Sequence, residues 1–233
     1  MELFTNLKRE DLNRLFDNFY QYKDKVLQFR DYTKQIIEVP EADPETFRKV
    51  SGFYADKNHV FYQCLQDNSP EETITNAYGH NMNNPEAKWQ ISIVQGLDGK
   101  SFNYIQDKYD TVYWKDKNGI YIKRNGSLKA LENVDRQSFT YLNFLYGKDN
   151  KHIYYEDQIL PIDVNEYSLD QWGFIKDQFR IFHYDFEIGL DPKSFEVVYY
   201  NLIKQPIILQ DKNGKYEYTR SIREDSKIIK QEG

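Results

Sequence analysis

Two short motifs, Asp116–Gly119 and Asp211–Gly214, resemble the beginning of a calcium-binding loop because each reads Asp-Lys-Asn-Gly. A working loop needs about six oxygen ligands and a bidentate Glu late in the loop. Gly119 is instead followed by Ile120–Ile122, which contain no carboxylate. We therefore predict that each Asp accepts hydrogen bonds within its own turn, and that the chain holds no metal and no cofactor.

The other residues capable of chemistry are isolated from one another. The chain has four histidines, at positions His59, His80, His152 and His183. The first and third occupy the same position of two similar turns, which favours a structural role. Cys64 has no His–Asn arrangement near it, and no phosphate loop or Gly-x-Ser-x-Gly motif is present. We predict no catalytic residue and no enzymatic activity; the alternative is an enzyme with an unrecognised carboxylate site.

Aromatic residues are the feature with the greatest functional reach, at 16% of the chain with 20 Tyr and 15 Phe. Tyr and Trp offer large amphipathic faces that bind proteins or stack on sugar rings. Most of these rings must fill the core. Trp89, Trp114 and Trp172 are the candidate binding residues, and a carbohydrate-binding module with an exposed aromatic row is the alternative to a protein-binding scaffold.

The elements that position these residues are predicted to be β-hairpins. In the stretch Tyr113–Ile122, the turn Asp116–Gly119 separates two runs of aromatic and β-branched residues, which is a strong hairpin pattern in which Gly119 accepts a positive φ. Equivalent turn aspartates recur at Asp24, Asp56, Asp116, Asp149, Asp177 and Asp211. Their spacing is 28 to 34 residues with one gap of 60, which predicts about seven units of about 31 residues.

A second motif, Asp-x-x-Ser/Thr-Phe, precedes several of these hairpins. Its copies are Asp43–Phe47, Asp98–Phe102, Asp135–Phe139 and Asp191–Phe195. Asp is a strong N-cap, and an apolar residue before it with Phe four positions later has the spacing of a hydrophobic staple. We predict a helix of one or two turns at each copy, and a longer N-terminal capping helix within residues 1–20.

The stretch 67–95 is predicted to be a degenerate unit, with a turn near Asn81–Pro85 and a strand in which Trp89, Ile91 and Ile93 alternate. No Gly-, Ser- or Pro-rich linker interrupts the series. The predicted fold is therefore mainly β, a single continuous repeat array over residues 1–233. An open array is preferred because such units contact their neighbours; a closed, propeller-like ring is the alternative.

Charge and hydropathy limit the partners and the compartment. The net charge is −6 with acids and bases interleaved, so we predict no nucleic-acid partner, and no apolar run is long enough for membrane insertion. No secretory signal is visible, and the single Cys64 fits a reducing compartment. We predict a cytoplasmic protein; an exported or cell-envelope protein whose signal has been removed is the alternative.

The motifs resemble the bacterial repeat family named for its Asp-Lys-Asn-Tyr-Gly signature, the DKNYG family. The closest matches are Asp191–Phe195, Lys115–Tyr121 and Asp56–Tyr62, and the resemblance extends roughly over residues 10–220. It implies a repeat architecture and supplies no catalytic residues. The predicted function is a non-enzymatic protein-interaction or structural scaffold, whose partner is a protein or glycan and whose oligomeric state the sequence leaves open.

Overall fold

A computed structural model describes residues 7–66, 69–71, 73–75, 81–105, 113–124, 127–201, 206–220 and 226–231. The chain divides into two compact units, one of residues 1–104 and 114–119 and the other of residues 105–113 and 120–233. Within the described residues the structure contains six four-stranded sheets, a two-stranded ladder and one short 3-10 helix, Arg9–Asp11. The predicted mainly β fold of tandem antiparallel hairpins is confirmed.

The first two sheets lie in the first unit. The first has the order β1-β2-β3-β4 and comprises Asn13–Phe16, Phe19–Tyr22, Lys25–Arg30 and Gln35–Val39. The next strands are β5 (Arg48–Val50), β6 (Phe53–Ala55), β7 (Val60–Leu65), β8 (Thr73–Thr75), β9 (Asn81–Asn83) and β10 (Trp89–Ile93). The second sheet has the order β10-β7-β6-β5, while β8 and β9 pair only with each other among the described strands.

The remaining four sheets follow the chain order of their strands. The third comprises β11 (Asn103–Ile105), β12 (Tyr113–Lys115), β13 (Ile120–Arg124) and β14 (Ser127–Ala130). The fourth comprises β15 (Thr140–Asn143), β16 (Tyr146–Lys148), β17 (Ile153–Tyr155) and β18 (Gln158–Leu160). The fifth comprises β19 (Ser168–Leu169), β20 (Phe174–Lys176), β21 (Ile181–His183) and β22 (Phe186–Glu187). The sixth comprises β23 (Glu196–Tyr199), β24 (Ile207–Asp211), β25 (Gly214–Thr219) and β26 (Lys227–Lys230).

Apolar side chains fill the space between consecutive sheets within each unit. Phe19 and Val26 of the first sheet share a buried cluster with Phe61 and Ile91 of the second. In the second unit, Tyr146 and Ile153 of the fourth sheet share one with Ile175 and Phe182 of the fifth. Burying these faces supplies the main stabilisation of the sheets, whose strands are only two to six residues long. Whether the sheets form an open array or a ring stays a prediction.

Three sequence-based predictions about the units are wrong. Seven units were predicted, but the described residues of the 60-residue gap form the two-stranded β8–β9 ladder in place of a further four-stranded sheet. The expected strand at Trp89–Ile93 does form, as β10, and it pairs with β7 to complete the second sheet. In the sequence, the β8–β9 ladder therefore lies between strands β7 and β10 of the second sheet. Asn81–Asn83 is strand β9, and the turn falls at Pro85 and Glu86.

The predicted N-terminal helix is also wrong over residues 7–20, which form the 3-10 turn and strands β1 and β2; residues 1–6 lie outside the described part. The segment nevertheless covers the outer face of the first sheet. Leu7 and Leu12 pack on the cluster of Tyr20, Leu27 and Phe29. The Arg9 guanidinium lies 5.1 Å from the centre of the Phe29 ring. That a terminal segment caps the array stays a prediction.

The short capped helices predicted at the Asp-x-x-Ser/Thr-Phe motifs are single turns instead. In the first copy, the Thr46 N–H donates to the Asp43 carbonyl and the Glu45 N–H donates to the Asp43 side chain. The Phe that closes each motif is followed at once by the first strand of the next sheet, as Phe47 is by Arg48. No residues remain for a second helical turn, so the motif is a side-chain-stabilised turn.

The turn aspartates hold the hairpins in five of the six sheets. Five of them are buried, at 1 to 7% exposure: Asp56, Asp116, Asp149, Asp177 and Asp211. In the first four, Oδ1 accepts hydrogen bonds from the N–H groups two and three residues later, at 2.6 to 2.9 Å; in Asp211 it accepts that of Asn213. The predicted role of Asp in its own turn is confirmed by these bonds.

The other oxygen of each buried aspartate binds the segment that enters the sheet. Oδ2 of Asp56, Asp116, Asp149, Asp177 and Asp211 accepts the N–H of Asp43, Asp98, Asp135, Asp163 and Asp191, respectively, at 2.8 to 3.0 Å. Each carboxylate thus ties its hairpin to the turn before the first strand. The Asp163 copy lacks both Ser and Phe, which is why the motif search missed it.

The Ser or Thr of the motif completes this connection. Thr46 Oγ1 accepts the N–H of Lys57 at 3.0 Å and donates to Asp43 Oδ2 at 2.7 Å. Ser101, Ser138 and Ser194 make the equivalent pair of bonds. The Lys after the turn Asp adds an ion pair in three sheets, as between Lys117 Nζ and Asp98 at 2.8 Å. The Asp-Lys-Asn and Asp-x-x-Ser patterns are therefore two halves of one structural contact.

The fourth residue of the Asp-Lys-Asn-Gly turn, where Gly119 was expected to adopt a positive φ, does not require one in most of the sheets. Neither Gly119 nor the residues at the same position in the second, fourth and fifth sheets, His59, His152 and Arg180, has a positive φ. In these four sheets the turn is closed by hydrogen bonds to the aspartate, so side chains with a Cβ are accepted at this position. The sixth sheet differs, because Gly214 has a φ of +143°.

Replacement of Asp149 by Asn tests this contact. Burial disfavours its charge, but the N–H donors of Asp135, Lys151 and His152 and the Tyr154 hydroxyl hold the pKa of Asp149 below its ordinary value. An amide has only one acceptor oxygen, so some of these donors would lose their partner. We expect Asp149→Asn to lower the free energy of unfolding by about 2 kcal/mol or more in urea titrations.

The matched control is Asp24→Asn in the first sheet, where the turn aspartate is exposed. A surface substitution of this kind changes stability by about 0.5 kcal/mol or less. Equal losses in the two variants would contradict the structural role assigned to the buried aspartates.

Candidate functional site: the Trp172 groove

A groove of about 420 Å³ lies between the fifth and sixth sheets in the second unit. We call it the Trp172 groove and define it by the side chains of Asp170, Gln171, Trp172, Lys176, Phe195 and Glu196. The first three belong to the loop between β19 and β20; Phe195 directly precedes β23, and Glu196 is its first residue. The volume falls in the range of roughly 300–1,000 Å³ that is common for small-ligand sites.

Trp172 is held in place by a hydrogen bond to its backbone and by a stacked ring. The Asp170 Oδ1 atom accepts the N–H of Trp172 at 2.8 Å and that of Phe174 at 2.9 Å. The indole stacks on the Tyr200 ring, with centroids 4.8 Å apart and planes 24° apart. Because the backbone and one ring face are both occupied, the half-buried indole is a rigid part of the groove wall.

His183 contacts the backbone of the loop that carries Trp172. Its Nε2 lies 3.3 Å from the Trp172 carbonyl, and its Nδ1 lies 3.0 Å from the Tyr218 hydroxyl. A carbonyl only accepts, so Nε2 carries the hydrogen and Nδ1 accepts from the hydroxyl. The ring is buried and stacks on Phe174, with centroids 4.2 Å apart. Burial, followed by the charge of Arg220, lowers the pKa of His183 to about 3.

Aromatic side chains also occupy equivalent hairpin tips in successive sheets of the second unit. Phe144 stands at the tip between β15 and β16, Trp172 between β19 and β20, and Tyr200 directly after β23. The Phe144 ring lies against Gly173, whose φ of +87° shapes the loop of Trp172. The pattern Asp170-x-x-Gly173 is the sequence signal that marks the loop.

The two other candidate tryptophans lie in the first unit. Trp114 is only 3% exposed, and its Nε1 donates to the Ser51 carbonyl at 3.2 Å. Its ring packs edge-on against Phe53, so it belongs to the core. Trp89 is half-buried in β10, and the Arg30 guanidinium lies 3.8 Å from the centre of its ring. Trp172 is thus the candidate that lines a groove.

The remaining candidates for chemistry are placed as follows. The backbone N–H groups of His59 and His152 donate to the turn aspartates, as a structural role requires. His80 lies outside the described residues. Cys64 is half-buried, with its Sγ 3.7 Å from Gln90 Nε2. Among the described residues, no group of three His, Cys, Asp or Glu is placed to hold a metal ion.

The fold defines a repeat protein built from tandem antiparallel four-stranded sheets. Residues 113–172 match the model of the DKNYY family, whose name is nearly identical to the DKNYG signature. The match confirms the expected resemblance in this stretch, which is shorter than the span of residues 10–220 over which the motifs were followed. No curated protein and no solved structure matches the chain.

The buried His183 predicts a specific acid sensitivity. The unfolded chain takes up a proton at an ordinary histidine pKa of about 6.5, whereas the folded chain resists protonation down to a pKa of about 3. Stability is therefore lost as the pH falls from about 6.5 towards 3, by up to about 1.4 kcal/mol per pH unit from this residue.

The measurement compares unfolding free energies of the wild type and His183→Gln at several pH values from 7 to 4. Gln retains a donor and an acceptor but does not titrate. We expect the wild type to lose stability more steeply than the variant, since all other titrating groups are shared. Parallel curves would show that His183 is readily protonated in the folded protein.

Proposed function

We propose that this repeat protein is a non-enzymatic binding scaffold and that the Trp172 groove is its recognition surface. The observation that carries the proposal is the use of the recurring residues. The five buried turn aspartates are hydrogen-bonded within the repeat, and so are the Ser or Thr and the Asp of the motif. Residues that make the same contact in several sheets serve the fold, so recognition falls to residues that differ between sheets.

The groove contains such differing residues. The position of Glu196, directly after the motif Phe, is taken by Arg48, Asn103 and Thr140 in other sheets. The tip position of Trp172 is taken by Ser51 in the second sheet. The groove is therefore particular to one place in the array, as expected of a specific binding site on a repeat scaffold.

Several groups support a binding role over catalysis. Both ring nitrogens of His183 are engaged and its pKa is lowered, which makes it a poor base at neutral pH. Burial raises the pKa of Tyr218 to about 12, which keeps its hydroxyl protonated. The buried turn carboxylates accept backbone N–H groups, which opposes their action as acids or nucleophiles.

Two observations bear on the membrane and on the cellular compartment. No helix among the described residues is long and apolar enough to cross a bilayer. We infer a cytoplasmic location from the single free thiol, Cys64. Fractionation of the producing cells, with the protein followed by antibody, tests this location; recovery in the envelope or medium would contradict it.

Quantitative affinity capture tests the binding role. The wild type, Trp172→Ala and the control Phe179→Ala are immobilised and exposed to fractionated cell extract, and the retained molecules are identified and titrated in purified form. Phe179 is 72% exposed and lies outside the groove, so it controls for loss of a surface ring. We expect a partner that binds the wild type and the control alike, and Trp172→Ala at least about tenfold more weakly.

Equal retention by all three proteins would contradict the assignment of the groove. Turnover of a substrate by the wild type that is lost in a groove variant would contradict the non-enzymatic role.

A further inference from the structure

We infer that the Trp172 groove binds a neutral oligosaccharide. This inference rests on the proposed function, because it names the class of ligand that the recognition surface takes. A sugar ring offers one flat apolar face of C–H groups and a rim of hydroxyls that both donate and accept hydrogen bonds. A matching site therefore combines a fixed aromatic platform with polar side chains around it.

The platform is the Trp172 indole. Its backbone is fixed by Asp170 Oδ1 at 2.8 Å and one of its faces by Tyr200. A ring that is already immobilised loses little conformational entropy when a ligand stacks on it. Phe195, at the other side of the groove, extends the apolar surface and is itself partly buried in the core of the sixth sheet.

The edge of the Trp172 groove carries polar side chains that can form further hydrogen bonds. Glu196 is exposed, and no hydrogen-bond or ion-pair partner for its carboxylate lies among the described residues. Gln171 is exposed beside it in the groove lining and offers an amide oxygen and two N–H donors. Both Asp170 hydrogen bonds to the backbone use Oδ1. Hydroxyl groups suit this mixture of donors and acceptors.

The charges favour a neutral ligand. Asp170 and Glu196 place two carboxylates at the groove, and these oppose phosphate, sulfate or uronic-acid groups. Lys176 also lines the groove, and its Nζ donates to the Pro192 carbonyl at 2.7 Å. This ammonium opposes the Lys or Arg side chain of a basic peptide, which would otherwise be drawn to a Trp with two acids. A ligand without charge meets neither repulsion.

The experiment uses the full chain and a panel of neutral oligosaccharides of defined linkage, namely cello-, chito-, malto-, xylo- and manno-oligosaccharides. Binding is followed by isothermal titration calorimetry at pH 7. The variants are Trp172→Ala, Glu196→Gln and Phe179→Ala, and near-ultraviolet circular dichroism establishes that each is folded. Glu196 is exposed, so its substitution tests the site even if Trp172→Ala disturbs the loop.

We expect saturable binding of at least one oligosaccharide, weakened at least tenfold by Trp172→Ala and severalfold by Glu196→Gln, with Phe179→Ala unchanged. Failure of the whole panel, or binding that survives both groove substitutions, overturns the inference.

A Lys- and Arg-rich peptide is titrated in parallel. If it binds in a Trp172-dependent manner while the sugars do not, the sugar inference fails and the binding scaffold stands. If affinity capture also finds no groove-dependent partner, both fail.

Discussion

A buried carboxylate has to be satisfied by hydrogen-bond donors, and this requirement organises five of the six four-stranded sheets. Desolvation of an unpaired charge costs several kcal/mol, which a thin sheet with a small core cannot absorb. In five sheets the donors come from two places, the turn of the hairpin and the segment that leads into the sheet. Asp149, for example, accepts from Lys151 and His152 on one oxygen and from Asp135 on the other. One side chain thereby joins elements that lie 14 residues apart.

The remaining recurring residues reinforce that contact with different strengths. The Ser and Thr hydroxyls bind partners on both sides and fix the distance between the motif and the turn. The lysine ion pairs are largely solvent-exposed, as at Lys117 and Lys212, and such pairs contribute about 1 kcal/mol or less. The fourth sheet keeps Ser138 and has Asn150 in place of the lysine. The fifth sheet has neither the Ser nor the lysine, yet Asp177 still accepts the N–H of Asp163. In these sheets the carboxylate makes the recurring contact, and the lysine adds to it.

Local features of the fold could be predicted from the sequence, and features that depend on pairing at a distance could not. The hairpins followed from turn chemistry and flanking strand residues. The prediction of short helices was wrong because Phe47 and its equivalents are followed directly by a strand. The predicted number of units was wrong because β10 pairs with β7 across an insertion. The spacing of the turn aspartates does not reveal such a pairing. Trp172 was predicted by its residue type alone, whereas its support by His183 depends on Tyr218 and Phe174 from separate strands. Such contacts exist only after folding.

The buried aspartates are expected to protect the backbone amides of the entering turns from exchange with solvent. Amide hydrogen exchange read by nuclear magnetic resonance tests it directly at Asp43, Asp98, Asp135, Asp163 and Asp191. These residues lie outside the strands, so without the aspartate bonds their amides should exchange nearly as fast as those of an unfolded chain. We predict protection at all five comparable to that of the neighbouring strand amides. Exchange at the rate of an unfolded chain would contradict the account.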